Sequence, residues 1–262
     1  MRALPDDNLC YPVCIELSNG SFGSGFLLNT GQTLFLGTAK HVLFDRQGAL
    51  VAQSATGTSF TSDLTSRAAF NLDLALLEAN GEIRQHATAD VAVIKLADKN
   101  PTHLVFLPGT TLTMNEDGGK IVGIAAQSCR PFEKALVAND VFLFGYPRAL
   151  GDGSNQVDRG RPLLRKGIIA DKDPVKRHIV IDCPVYQGNS GGIVLEAYAD
   201  TPFERKFGAI GIATSFVPFV EELQSRHYGT TNVSIENSGY AVVTPIDRVL
   251  ELVGQELSAM AA

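Results

Sequence analysis

An all-β protein of sandwiches or barrels, closed by one C-terminal helix, is what this sequence predicts. Three observations carry that expectation. Short runs rich in Val, Ile, Leu and Phe recur along most of the 262 residues. Turn formers such as Asn29-Thr30-Gly31 and Asn80-Gly81 stand between them and favour hairpins. Helical spacing is confined to the end, where Thr244-Pro245 opens IDRVLELVGQEL with Ile246, Val249, Leu250, Leu252 and Val253 on one face.

In chain order the strand-like runs are 13–17, 25–39, 72–85, 90–96, 120–125, 140–147, 166–170, 177–183, 192–197, 207–216 and 239–245. About a dozen strands at this spacing suit barrels or sandwiches. The segment LDLALLEANGEIRQHATADVAVIKL reads as one hairpin leading into the strand that follows Asp90. Residues 97–119, with two prolines and an acidic, Gly-ending stretch, are the expected connection between two β units. Residues 148–162 read as a long surface loop. The length allows one large β domain or two of half the size, and no internal repeat is evident.

Composition narrows the function classes. A formal net charge of −6 excludes a broad basic footprint for nucleic acid. No apolar run approaches the ~18–20 residues of a membrane span. The first residues, MRALPDDNLCYPV, lack the apolar stretch of a signal peptide, so a cytoplasmic chain is expected. The four cysteines, Cys10, Cys14, Cys129 and Cys183, are sparse for a secreted disulfide scaffold and have no metal-ligand spacing. Buried reduced thiols and no metal site are expected.

The chemistry-bearing residues lie in three places. In CPVYQGNSGGIVLE, the turn Gly188-Asn189-Ser190-Gly191-Gly192 stands directly before a strand. A glycine-rich turn is a structural device in most chains; it also suits a nucleophile whose neighbouring N–H groups face a substrate. LGTAKHVLFD places His41 just after a strand, and a lone histidine is usually structural. HATADVAVIKL sets Asp90 at the mouth of an apolar strand, on one face with Ala92, Ile94 and Leu96. A carboxylate turned inward there needs a hydrogen-bonding partner, which a histidine would supply.

Taken together, TAKHV, TADVAVIKL and GNSGG, in the order His, Asp, Ser, resemble the trypsin/chymotrypsin-like serine peptidase family, and among its branches the bacterial trypsin-like and Deg-type proteases. DVFLFGYP and LLRKGIIA resemble strands of that family's second barrel, AIGIATSF its pocket strand and GYAVVTP the strand before its C-terminal helix. The resemblance implies two antiparallel six-stranded β-barrels and a C-terminal helix, with residues 1–110 carrying His41 and Asp90 and 111–262 carrying Ser190. It implies peptide-bond hydrolysis through an acyl-enzyme, with His41 as base, Asp90 as its orienting acid and an oxyanion hole at Gly188, Asn189 and Ser190. No cofactor is implied. The partner is a polypeptide substrate, with room for a regulatory protein; neither nucleic acid nor membrane is expected. No accessory peptide-binding domain is expected after residue 258.

By the same resemblance the primary pocket has Pro184 at its floor and Thr214, Ser215, Phe216 and Ser238 in its walls. With no acid at the floor, a small or medium apolar residue before the cleaved bond is expected. Asn189 stands where secreted members carry an Asp that pairs with a freshly cut N-terminus, so activation by cleavage is not expected. Some alternatives stay open. Asp73, in NLDLALLE, rivals Asp90 as the acid. Gly188–Gly192 also fits the nucleophile elbow of α/β-hydrolases, although that fold needs its His after the Ser, and only His227 follows. His86, His103, His178 and His227 are expected at the surface, and Cys183 in packing. A catalytically silent or partner-activated peptide-binding module, or an esterase, would use the same fold.

Overall fold

The computed structural model describes residues 4, 6–101, 103–115, 118–148, 158–201, 204–225 and 229–254. Its first half carries strands β1 (Pro12–Leu17), β2 (Phe22–Asn29) and β3 (Thr33–Thr38), a one-turn helix α1 (Lys40–Leu43), and strands β4 (Ser54–Phe60) and β5 (Arg67–Asp73). Helix α2 (Leu74–Ala79) follows, then β6 (Ile83–Gln85), β7 (Ala92–Asn100), β8 (His103–Phe106), β9 (Thr110–Met114) and β10 (Ile124–Ala125). The second half carries β11 (Asp140–Gly145), β12 (Leu163–Asp173), β13 (His178–Asp182), β14 (Ile193–Thr201), β15 (Glu204–Ser225), β16 (Thr230–Pro245) and helix α3 (Ile246–Val253).

Two sheets result. The first runs β6-β7-β3-β2-β1-β4-β5-β9, with β8 on β7 and β10 on β2. Its body is the six longer strands β1–β5 and β7; the shorter β6, β8, β9 and β10 sit at its margins. The second is a closed six-stranded barrel, β11-β12-β13-β16-β15-β14. The expected double-barrel fold with a C-terminal helix is therefore present. Three local expectations differ. Residues 97–119 contain β8 and β9 rather than only a connection. LALLEA is helix α2, not a strand, because the Asp73 carboxylate accepts the Leu76 N–H at 3.0 Å and caps its first turn. The strand expected over 207–216 runs on to Ser225 and pairs with an equally extended β16. Most of the expected 148–162 loop lies outside the described residues.

Period-2 alternation explains why the barrels adhere. On β11, Val141 and Leu143 fill the second barrel, while Phe142 and Phe144 face the other way, into the core of the first sheet. On β14, Val194 points into the barrel, and Ile193 and Leu195 point to the first sheet. Runs such as VFLF and GIVL are apolar on both faces because both faces are buried. Tyr11 packs edge-on against Phe144 with ring centroids 6.1 Å apart, and the Tyr146 hydroxyl donates to the Pro12 carbonyl at 3.2 Å. Helix α3 buries Ile246, Val249 and Leu250 in the first sheet's core and ends at Gly254, whose φ of 72° is the left-handed cap glycine tolerates. No helix among the described residues is long and apolar enough to cross a membrane.

Candidate active site

His41 sits in the turn of helix directly after β3, which turns its side chain out of the sheet. Asp90 lies in the bend before β7 rather than on the strand, so it is half-exposed instead of pointing into the core. The two are clamped by both oxygens of the carboxylate. Oδ2 lies 2.7 Å from His41 Nδ1, and Oδ1 accepts the His41 backbone N–H at 3.0 Å. Burial pushes the Asp90 carboxyl up, but the hydrogen bonds from His41 and the neighbouring positive charges outweigh it and hold the group below the ordinary carboxylate range. Asp73, the rival acid, is spent on capping α2. A cleft of 790 Å³ opens beside the pair, lined in part by Lys40, Phe44, Asp45, Thr88 and Ala89.

The GNSGG turn arrives from the second barrel. Gly188 has φ of 98° and packs so closely on the Tyr146 carbonyl that no Cβ fits. Gly191, at φ of 85°, lies against Ser24, Thr38 and Ala39 of the first sheet, where a side chain would collide with backbone. This close approach sets the turn beside α1. The Cβ position of Gly23 is 2.7 Å from a Val42 methyl and 3.4 Å from the Ser190 carbonyl oxygen, so Val42 and Ser190 flank the same glycine.

Hydrogen bonding within the turn is selective. Asn189 N–H donates to the Tyr186 carbonyl at 2.9 Å, Gly191 N–H to Ala213 at 2.8 Å and Gly192 N–H to Asn189 at 2.8 Å. Among the described residues, the N–H groups of Gly188 and Ser190 are left without a hydrogen bond. Asn189, expected in the hole as a third member, therefore shapes the turn and offers no donor from its backbone. Its side-chain Oδ1 is buried with no partner among the described residues.

Two residues that sequence reasoning missed hold this geometry. Ser24, fully buried on β2, donates its N–H to the Ser190 carbonyl at 2.8 Å and its hydroxyl to the Gly188 carbonyl at 2.6 Å. The same hydroxyl accepts the Tyr146 N–H at 2.9 Å, and the Ser24 carbonyl accepts the Thr38 hydroxyl at 2.7 Å. Its signal was Gly23-Ser24-Gly25, a polar residue between glycines entering an apolar strand. His86, expected at the surface, is largely buried: its side chain is only 12% exposed. Its Nδ1 accepts N–H bonds from Thr88 and Ala89, and its Nε2 lies 2.9 Å from Glu251 of α3.

The expected pocket residues occupy neighbouring strands. Thr214 is buried, with its hydroxyl 3.3 Å from the Val242 carbonyl, and Ser215 and Phe216 follow it into the open. Ser238 donates to the Val217 carbonyl at 2.6 Å, and Asn237 ties the same corner to the Val185 carbonyl at 2.6 Å, beside the half-buried Pro184. None of Pro184, Thr214, Ser215, Phe216 and Ser238 carries a charge. All four cysteines are buried thiols outside any disulfide among the described residues, and burial pushes the Cys183 thiol up to about 11, which leaves it a packing group. Among the described residues no cluster of His, Cys, Asp or Glu has the arrangement to hold a metal ion.

A family model described as a trypsin-like peptidase domain matches residues 23–200, a span that includes His41, Asp90 and Ser190. The chain belongs to that family. Solved structures of similar fold include the HtrA-type protease AlgW with a tripeptide (TM-score 0.51, 15% identity, 97% of this chain and 61% of that one). Deg5 gives a TM-score of 0.52 at 17% identity, over 97% of this chain and 96% of that one. A thermostable serine protease, AL20, from an extremophilic microorganism gives 0.54 at 12% identity, over 94% and 96%. At these identities the likeness is one of fold. This trypsin-like peptidase spans less than two thirds of the AlgW chains it matches. No curated protein matches it.

Proposed function

We propose that this trypsin-like peptidase is a serine endopeptidase working through a His41-Asp90-Ser190 triad, residues 1–110 supplying the base and acid and 111–262 the nucleophile. The observation that carries the proposal is the pairing of a clamped His41-Asp90 couple with a GNSGG turn in which, among the described residues, only the Gly188 and Ser190 N–H groups are unspent. Asp90 occupies Nδ1, so Nε2 is the nitrogen left to take a proton from the serine hydroxyl. Ser190 Oγ bonds to the scissile carbonyl carbon while Nε2 takes its proton. The carbonyl oxygen, now negative, is met by the two N–H groups; one such donor is typically worth on the order of 100- to 1000-fold in rate. Nε2 returns the proton to the leaving amine, and water releases the acyl group by the same steps. The uncharged pocket favours a small or medium apolar side chain before the cleaved bond. Four buried cysteines in the thiol form support a reducing, cytoplasmic setting.

The test is labelling with a fluorophosphonate. Stoichiometric modification of the wild type, lost in Ser190→Ala and in His41→Ala, is the expected result; an unlabelled wild type would end the proposal. Turnover of esters without peptide cleavage would point instead to another acyl hydrolase. The unpartnered Asn189 Oδ1 favours one second reading, a turn that rearranges when a regulatory protein binds. Labelling that appears only with such a partner present would identify it.

A further inference from the structure

Strand β15 does not stop where the barrel does. Its edge toward β14 is paired up to Ile212, and Ala213 makes two further bonds to Gly191 and Gly192. Beyond that point, from Thr214 to Ser225, no described strand occupies the edge, while the other edge stays paired with β16 as far as Thr230. The result is a two-stranded ribbon that leaves the barrel beside Ser190. From Val217 to Gln224 it extends roughly 25 Å at about 3.4 Å per residue.

Its composition is unusual for a solvated ribbon. Val220 is paired with Ile235 and Glu222 with Val233, which puts Val220, Val233 and Ile235 on one face; Phe219 and Leu223 lie on the other. All five are more than half exposed, from 52% at Val233 to 66% at Ile235. An isolated hairpin is marginal in water, and a bare apolar edge invites another strand. The charges on its described residues, Glu221, Glu222 and Glu236, are all acidic.

We infer that the ribbon is a docking track for the substrate itself. It would receive an extended, apolar and basic stretch of polypeptide lying N-terminal to the scissile bond. The inference rests on His41, Asp90 and Ser190 forming the peptidase site proposed above. Direction follows from the topology. A strand that prolongs the line of β14 backwards along the free edge of β15 ends its C-terminal side at Ser190 and lays its N-terminal residues along Val217–Gln224. Backbone pairing supplies affinity, and alternate side chains meet the two apolar faces. Lys or Arg residues in the bound strand would offset the three glutamates. The ribbon thus reaches well beyond the Thr214–Phe216 edge, and the protein would select substrates by a long unfolded segment more than by one residue.

Binding to the Ser190→Ala protein, which reads recognition apart from turnover, tests this. Fluorescein-labelled peptides would share four residues ending in an apolar side chain and carry N-terminal extensions of zero, four or eight residues, either alternating Val/Lys or alternating Ser/Glu. Anisotropy should show affinity rising at least about tenfold with the Val/Lys extension, a gain of ~1.4 kcal/mol. No such rise should appear with Ser/Glu. The double substitution Val220→Ser and Ile235→Ser, both at exposed positions, should remove the gain and leave the short peptide unaffected. Affinity independent of extension, or a gain that survives the double substitution, overturns the inference. So does sedimentation showing a dimer that the double substitution splits, since the ribbon would then be a contact between copies. A wild type that shows length-dependent binding through its Ser190→Ala form but never labels with fluorophosphonate would defeat the catalytic proposal while leaving the track.

Discussion

Asp90 gives one carboxylate oxygen to the His41 ring and the other to the His41 backbone N–H, so a single side chain sets both the tautomer of the imidazole and its position. Asp90→Asn keeps an acceptor for the backbone N–H but turns an amide donor toward Nδ1. The imidazole is then pushed to carry its proton on Nε2, where it cannot accept one from Ser190. Loss of a triad acid typically lowers kcat by about 10⁴, and peptide-hydrolysis assays should show that loss with KM little changed. Asp73→Ala should keep kcat and lose only the α2 cap, about 1 kcal/mol of stability; the reverse result would exchange the two roles. Asp90 also makes a pH prediction. Its folded pKa lies below the ordinary value of about 3.9, so its stabilisation is present above that value and fades as pH falls through the depressed one. Denaturant titrations of wild type and Asp90→Asn should therefore converge on acidification. The Asp and His were visible in the sequence as residues. The bend that half-exposes Asp90 was not, because strand alternation says nothing of where a strand begins.

The bend between β6 and β7 is held like a bracket. His86 Nδ1 accepts from Thr88 and Ala89, Nε2 faces Glu251 on α3, and the His86 carbonyl accepts the Lys40 ammonium at 3.1 Å. Two donated N–H bonds require an unprotonated Nδ1, so the proton of neutral His86 sits on Nε2 and is donated to Glu251. The C-terminal helix thereby steadies the segment that presents Asp90. His86→Ala should lower kcat on the order of 10- to 100-fold by loosening Asp90. Glu251→Gln keeps an acceptor for Nε2–H and should stay near wild type; equal loss in both would show that charge, not position, matters. Strand existence was legible in short continuous apolar runs, as in β7 and β11. It was missed in β4, SATGTSF, whose inward positions are Ala55, Gly57 and Ser59, too small and polar to register as a hydrophobic face.

At the scale of the whole molecule, the two barrels meet at Ser24. Its four hydrogen bonds join β2, β3, the start of the loop after β11 and the GNSGG turn. Ser24→Ala would leave the Gly188 carbonyl and the Tyr146 N–H buried without that partner, a cost of about 1–3 kcal/mol. It would also release the Gly188–Asn189 peptide, which lies between the two unspent N–H groups, those of Gly188 and Ser190. Thermal unfolding should register the first effect. A kcat reduced by up to on the order of 100-fold, with KM nearly unchanged, should register the second. Wild-type kcat in a destabilised Ser24→Ala protein would reduce Ser24 to a packing role.

The sequence by itself determined the β class, the C-terminal helix and the three residue types of the candidate site, since periodicity, turn chemistry and short motifs are local properties written in consecutive residues. Tertiary structure alone decided which carboxylate meets His41, which N–H groups of GNSGG remain unspent, and that β15 and β16 run past the barrel. The first two depend on contacts between segments far apart in the chain, such as His41 with Asp90 and Ser24 with Gly188, and the third on a hairpin pairing such as Val220 with Ile235. Local pattern carries no record of such pairings, because the energies that select them arise only when the segments have packed together in space.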